Sequence, residues 1–375
     1  MNLIFKYILV LVVIILVGCR PFKTDNSKTE VSPKTDTLVS IENDSTKLTI
    51  SLLGGSLVSF QDKSFKVNPY SWKENNKDTA ENSKNSAVLQ GQFLSFGRWM
   101  FPTPGESKLG MPVNGEPANN WWKLEPSKNS RELKMGCEAP LDGFSINRQV
   151  AMSQSSPIFK VTETIKNENS TGRATSIVQN IVLVPPFFEP SIVITSNASF
   201  GFNQLCVARN PENFEYQWPK AFIDTLKIST IDIGYYNNRF RYLSSHIFED
   251  SLGWVTAYNP KLKLLLGYVW KTSEYPWIHF KNEANYERPF FYSIAFGTIG
   301  LSDKFSIEDR MTMTFHGVRN FDFVDAKSSI IKSWYCFFLS VPSGYQKMEG
   351  LSFFENQLIL KMLTSSGRKE VKLVL

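Results

Sequence analysis

Histidine is scarce in this chain: 375 residues contain only His246, His279 and His316. None of the three is spaced with Cys, Asp or Glu as a metal-ligand set requires. No CxxC pair occurs, and no P-loop, Gly-rich dinucleotide turn, GxSxG elbow or HExxH helix is present. These gaps set aside the motif-bearing nucleotide-binding, serine-hydrolase and zinc-peptidase classes, and no metal or cofactor is expected. Basic runs are also missing. The net charge is +6, but Lys and Arg are interleaved with acids, which argues against a nucleic-acid partner. Strands do not alternate with helical patterns, and no repeat of 20–50 residues is found, so parallel α/β folds and solenoids are set aside as well.

What is plentiful is apolar and aromatic. Hydrophobic residues make up 42% and aromatics 14%, with 29 Phe. That supply favours strands over helices and is enough for one large β domain. Period-two alternation recurs along the chain. Lys47–Leu53 and Ser56–Gln61 flank Gly54-Gly55 as a hairpin. Further strands are predicted over Ser86–Phe96, Gly143–Met152, Ile158–Lys166, Ala174–Leu183, Ser191–Thr195, Gly253–Tyr258, Leu262–Trp270, Trp277–Lys281, Pro289–Phe296 and Arg310–Phe315. In Ile158–Lys166 the apolar side carries Glu163, which needs a partner and reads as a structural hydrogen-bonder. One helix is predicted over Asp325–Trp334, with Asp325 as its cap. Gly350–Leu375 reads as a closing hairpin around Ser365–Arg368, and Lys73–Asn85 and Asn210–Trp218 read as exposed loops. Short strands punctuated by Gly, Pro and Asn indicate an all-β sandwich or barrel with few short helices.

The N-terminus has the layout of a secretory signal. Lys6 is the one charged side chain before the apolar run Tyr7–Val17, and Leu16-Val17-Gly18-Cys19 resembles a bacterial lipobox. The apolar run is shorter than the roughly 20 residues of a spanning helix. The expected organisation is a leader over 1–18, a lipidated Cys19 with a flexible polar tether to 36, and one domain over 37–375. Losing Lys6 with the leader lowers the charge to +5. Two or more lipid chains on Cys19 would give stable anchoring in a bilayer. Arg20 after Cys19, rather than Asp, favours the outer membrane under the rule familiar from enteric bacteria. Cys137, Cys206 and Cys336 then remain, as three buried thiols or as one bridge and one leftover.

Three segments carry a further pattern: Leu109–Trp122 (LGMPVNGEPANNWW), Val178–Glu189 (VQNIVLVPPFFE) and Tyr275–Leu301. In order and spacing they resemble the sugar-cleft segments of the galactose mutarotase-like (aldose 1-epimerase) superfamily, over roughly Lys47–Phe315. In the first, Met111-Pro112 precedes Asn114-Gly115-Glu116 and then Trp121-Trp122, with Asn114 where the family has His. In the second, Gln179-Asn180 precedes Pro185-Pro186-Phe187, with Asn180 in place of a second His. The third keeps Tyr275-Pro276-Trp277, Asn282-Glu283 and Phe296-Gly297, but Ala295 stands where the family has Glu. The resemblance implies a mutarotase-like β-supersandwich and a sugar or glycan ligand.

It also implies a missing reaction. Exchanging anomers requires one group to take the anomeric hydroxyl proton while another protonates the ring oxygen, which calls for pKa values near the working pH. An asparagine amide has no usable proton equilibrium, and alanine offers none. Each lost partner forfeits about 10²–10⁴-fold in rate. The expected function is therefore a membrane-anchored carbohydrate-binding lipoprotein of the cell envelope without epimerase activity. Its ligand-binding candidates are Arg98, Asn114, Glu116, Trp121, Trp122, Gln179, Asn180 and Trp277, with Asn119, Asn120 and Trp99 beside them. Two alternatives stay open: an active epimerase using His279, Glu283 or Glu116 as substitutes, and a structural interaction domain whose cleft is filled by its own side chains.

Overall fold

The computed structural model describes residues 37–74, 89–207, 210–237, 239–282, 291–302 and 306–375. Two antiparallel sheets carry the fold. The first has ten strands, in spatial order Leu38–Glu42, Thr46–Ser51, Leu57–Asp62, Gln92–Phe96, Ile177–Leu183, Tyr292–Gly297, Trp277–Asn282, Tyr242–His246, Phe200–Asn203 and Tyr216–Gln217. The second has eight: Val193–Ser196, Leu252–Asn259, Leu264–Lys271, Ser329–Ser340, Ile158–Asn167, Phe144–Met152, Glu132–Ala139 and Lys123–Glu125.

The sheets stack because alternate residues of each are apolar and aromatic. Leu94, Phe96, Ile177, Ile181, Ile278, Phe280, Ile294 and Phe296 of the first meet Phe159, Val161, Tyr268, Trp270 and Trp334 of the second in one buried cluster. Phe296 lies flat on Trp270, ring centres 4.2 Å apart, and edge-on to Tyr275 at 5.2 Å. Residues of the first sheet that alternate with this core set, among them Ser95, Asn180, Ala295 and His279, lie on its other face. That face is the subject of the next subsection.

The Gly54-Gly55 hairpin forms as its sequence predicts, joining Thr46–Ser51 to Leu57–Asp62. Both glycines have φ in the left-handed region, 76° and 60°, which an L side chain resists. A Cβ on Gly55 would also stand 2.7 Å from the Trp122 ring. The C-terminal hairpin is present as well, Gln357–Thr364 with Gly367–Val374, and Tyr345–Phe354 adds a third strand to it. This small sheet forms a further layer. Its Met348, Leu358, Leu360, Met362 and Leu373 pack on Ile158, Leu265, Val269, Phe337 and Leu339 of the eight-stranded sheet.

Three local expectations are corrected. The segment predicted as a helix over Asp325–Trp334 instead enters the strand Ser329–Ser340. Ile330, Trp334, Cys336 and Phe338 pack into the inter-sheet core while Phe337 and Leu339 serve the outer layer, so a two-sided burial demand overrides the helical spacing. Conversely, Arg310–Phe315, predicted as a strand throughout, begins in the helix Ile307–Thr312, and only Thr314–Phe315 form a strand, paired with Val318–Arg319. Ser306 caps the helix, its Oγ accepting from the Asp309 backbone N–H at 3.0 Å. A second short helix, Pro104–Lys108, begins with a capping box between Thr103 and Glu106. The Thr-Pro-Gly-Glu run was a readable signal for it. Asn210–Trp218 is not simply an exposed loop, because Tyr216 joins an edge strand and buries its hydroxyl 2.6 Å from Ser244 Oγ. The Lys73–Asn85 loop falls largely outside the described residues. Cys137, Cys206 and Cys336 are all free and buried.

Candidate functional site

The outer face of the ten-stranded sheet brings together the positions that the sequence segments mark. Strand register sets Asn180 directly opposite Ala295, and Ala295 opposite His279 on the next strand. On the other side, Asn180 pairs with Phe93, two strand positions from Ser95 and so on the same face. Ser95 joins the loops to this row. Its hydroxyl donates to Asn114 Oδ1 at 2.8 Å and accepts from Asn180 Nδ2 at 2.8 Å. Asn114, Asn180, Ala295 and His279 therefore lie along one floor.

That floor is roofed by the protein itself. The Trp99 ring is 5% exposed and sits with its centre 4.2 Å from the His279 ring. Its indole N–H donates to Asn180 Oδ1 at 3.1 Å. Val178, Leu243, Ala295 and Ile299 complete the apolar contacts around it. Asn114 holds the same loop down, since its Oδ1 also accepts from the Met100 backbone N–H at 2.9 Å. Asn114 and Met100 both adopt left-handed φ values, 62° and 82°. For Met100, a bulky residue, this is an outlier the surrounding contacts must hold in place.

His279 is enclosed. Its Nδ1 is 2.8 Å from Ser245 Oγ, whereas Nε2 has no well-formed hydrogen bond, although the Ile299 backbone is close enough to favour the protonated ring. Burial outweighs that help and pushes the His279 pKa down to about 3, so the ring is neutral at pH 7. His246 lies on the inner face and is likewise pushed down to about 4 by burial. It sits 2.8 Å from Ser244 Oγ. His316 is far more open and pairs with Glu215 at 2.6 Å.

The remaining candidates divide by where their side chains are spent. Gln179 points into the sandwich and donates to Glu163 Oε2 at 2.8 Å. Glu163 also accepts from the Tyr275 hydroxyl at 3.1 Å and pairs with Arg148 through Nε at 2.9 Å and a terminal nitrogen at 2.6 Å. The other terminal nitrogen of Arg148 donates to the Gly55 carbonyl at 2.6 Å, and its guanidinium lies 4.5 Å from the Trp122 ring centre. The partner that the sequence demanded for Glu163 is thus Arg148. Trp122 is buried, its indole N–H on the Pro117 carbonyl at 2.9 Å, while Trp121 is half-buried. Trp277 is fully buried, donates to the Arg319 carbonyl and packs against Phe202 and Phe315.

Glu116 is buried in a short 3-10 turn, with Oε2 accepting from the Leu141 backbone N–H at 2.8 Å. Burial raises its pKa, and the nearby Asp142 adds to the effect. Asn119 spends its amide on the carbonyls of Val113 and Gly115, and Asn120 reaches the Glu138 carbonyl. Arg98 is engaged by two carboxylates, Glu106 at 2.6 Å and Asp142 at 2.7 Å. Glu283, Cys19 and the tether lie outside the described residues. Sequence reasoning had assigned no role to Ser95, Ser245 or Asp142. Each is a common polar residue whose importance comes from a neighbour far away in sequence.

No protein-family model matches the chain, and no curated protein matches it in sequence. Solved structures do match. A galactose mutarotase-like protein from Clostridium acetobutylicum superposes with a TM-score of 0.57 at 12% identity, over 81% of this chain and 95% of its own. A galactose mutarotase related enzyme from Lactobacillus acidophilus gives 0.57 at 9% identity, over 81% and 98%. A galactose mutarotase-like protein from Lactobacillus casei gives 0.55 at 11%, over 81% and 100%. At these identities the likeness establishes the fold: an all-β, galactose mutarotase-like sandwich.

Proposed function

We propose that this chain is a lipid-anchored carbohydrate-binding protein of the bacterial cell envelope that does not exchange sugar anomers. The observation that carries the reading is the row Asn180, Ala295, His279 on neighbouring strands. Two of the three side chains cannot move a proton, and the third is held neutral and enclosed. A general acid must carry a proton at working pH and reach its substrate, and His279 does neither. Fold likeness to mutarotase-like structures supports a sugar as the ligand class, and the lipobox-like Cys19 supports the anchor.

The test is anomer exchange followed by NMR on freshly dissolved α-galactose and α-glucose. The expected rate with protein equals that of buffer. Acceleration that vanishes in His279→Ala would overturn the reading in favour of an epimerase with substitute groups. A glycan array run in parallel should give saccharide binding. Anchoring is tested separately: Cys19→Ser should release the protein from the membrane fraction.

One observation favours the second reading, a structural or interaction domain. Trp99 fills the floor, as such a domain requires. Under that reading no saccharide binds either the wild type or Trp99→Ala, and a blank array for both would select it.

A further inference from the structure

Trp99 is carried on a strap that little else holds down. Of residues 97–110, Trp99 alone is buried. The short helix within the strap, Pro104–Lys108, buries no side chain, and Phe101 and Leu109 are 44% and 76% exposed. Gly97 and Gly110 bracket it with left-handed φ values of 69° and 90°. Gly97 is pinned, its N–H on the Ser176 carbonyl at 2.8 Å.

The hydrogen bonds of the outer half close on themselves. The Ser107, Leu109 and Gly110 amides donate to carbonyls of Thr103, Gly105, Glu106 and Ser107, and Thr103 and Glu106 cap each other. The Arg98–Glu106 pair is internal to the strap as well. Attachment to the body comes through Trp99 to Asn180, Arg98 to Asp142, and Met100 to Asn114. In the last pair the Met100 carbonyl also accepts from the Asn114 N–H at 2.8 Å. Further out, Phe101, Thr103 and Glu106 face Ile307 and Met311 across a cavity of about 190 Å³. That side of the strap therefore meets a gap, where a packed wall would resist movement.

We propose that residues 97–110 form a gate with Trp99 as its plug, an internal stand-in that leaves the floor when a saccharide takes its place. The ligand rests on the carbohydrate reading above, whereas the gate does not.

The plug does what a sugar would have to do there. Its ring covers the His279 imidazole and the apolar wall of Val178, Leu243, Ala295 and Ile299. Its one N–H is donated to Asn180 Oδ1. A pyranose has an apolar CH face and hydroxyl donors, so it can replace both contacts. Asn180 Nδ2 stays bonded to Ser95 Oγ, which keeps the amide oriented once the indole has left.

The closed position also holds strain. Met100 sits at φ 82°, a conformation that a bulky residue resists, and opening releases it. Opening breaks a few attachments and exposes one tryptophan, with the Met100 strain as partial return. Segments of such low local stability are the ones that open while the rest of a fold stays intact.

The experiment is residue-resolved diethyl pyrocarbonate modification of the full chain in detergent at pH 7, read by mass spectrometry. His246 is enclosed by the rings of Tyr216, Trp218 and Phe280, so it reports unfolding of the body. His279 should react at least about tenfold faster than His246. Relative to His246, Asp142→Asn should speed His279 about tenfold by loosening the ion pair. Met100→Gly should slow it several-fold by relieving the closed backbone. Equal rates for His279 and His246 in the wild type, or a ratio that neither variant moves, would mean that the floor opens only with the whole fold, and would overturn the proposal.

Galactose and glucose at about 100 mM then test the plug. A sugar on the floor shields His279 but holds the strap open. It should slow His279 modification while speeding hydrogen exchange at the Met100 and Asn114 amides. A sugar that slows both rates closes the strap from elsewhere and overturns the plug. If the variants shift the ratio as expected, yet no sugar changes either rate and the glycan array is blank, the gate stands and the carbohydrate reading falls. If the array shows binding while the ratio stays fixed, the carbohydrate reading stands and the gate falls.

Discussion

Gln179 and Asn180 are neighbours in one strand and opposite in fate. Gln179 turns inward to a charged cluster, Arg148, Glu163 and Tyr275, in which both Glu163 oxygens and all three guanidinium nitrogens of Arg148 are engaged. Asn180 turns outward to a neutral row, Ser95, Asn114 and His279, roofed by a single tryptophan, with one ring nitrogen of His279 lacking a well-formed bond. Burying an ion pair is tolerable only when the remaining lone pairs and protons are also satisfied, and the inner cluster meets that condition. The outer row carries no such demand. It needs only amides and hydroxyls that satisfy one another, so it is the face on which reactive groups can be exchanged without unmaking the fold.

The sharpest test of this contrast is Glu163→Ala. It strands Arg148 in the core and should cost about 3–5 kcal/mol, read as a lower midpoint in urea unfolding. A loss below about 1 kcal/mol would mean the inner cluster is no more essential than the outer row. Trp99→Ala comes next, at about 3 kcal/mol, from lost burial and a cavity. It should also make His279 reactive to diethyl pyrocarbonate, which in the wild type should modify chiefly His316.

Acid should separate the two faces by way of their histidines. Folded pKa values near 3 for His279 and 4 for His246 lie below the ordinary value of 6.5. Above about pH 6.5 neither state binds the extra proton, so the stabilisation is fully present there. As pH falls below 6.5 the unfolded chain gains protons first, and stability drops by about 1.4 kcal/mol per pH unit for each histidine. By pH 5 the loss is about 2 kcal/mol per histidine. Denaturant midpoints from pH 7 to 4.5 should show this slope, and His279→Gln should remove close to half of it. An unchanged slope would mean that His279 is solvated in solution and that Trp99 does not cover it. The smallest effect is expected for Ser95→Ala, about 1 kcal/mol, because Asn114 and Asn180 each keep another hydrogen bond.

Much of the fold was legible. Gly54-Gly55 announced a hairpin through two backbone positions that favour glycine, and the Glu163 misfit on an apolar face correctly demanded a partner. The helix over Asp325–Trp334 was misread because Ile330, Ile331 and Trp334 also fit a strand when both sides of it are covered, and nothing local reveals a third layer built from the last thirty residues. The floor was legible only by likeness to a known pattern: Asn114, Asn180 and Ala295 were singled out as a set; the register aligns Asn180 with Ala295, and Ser95 ties Asn114 to Asn180. That Trp99 would lie over them, or that Gln179 and Trp277 would be consumed by the core, was not readable.

Periodicity and turn chemistry are local, so the chain alone determined an all-β sandwich, its principal strands and the absence of proton-carrying groups at the marked positions. Which face each polar side chain would serve was decided by packing. A hydrogen bond such as Trp99 to Asn180, or an ion pair such as Arg98 to Asp142, joins residues 81 and 44 positions apart. Only the stacking and register of distant strands bring such atoms within 3 Å or so of each other.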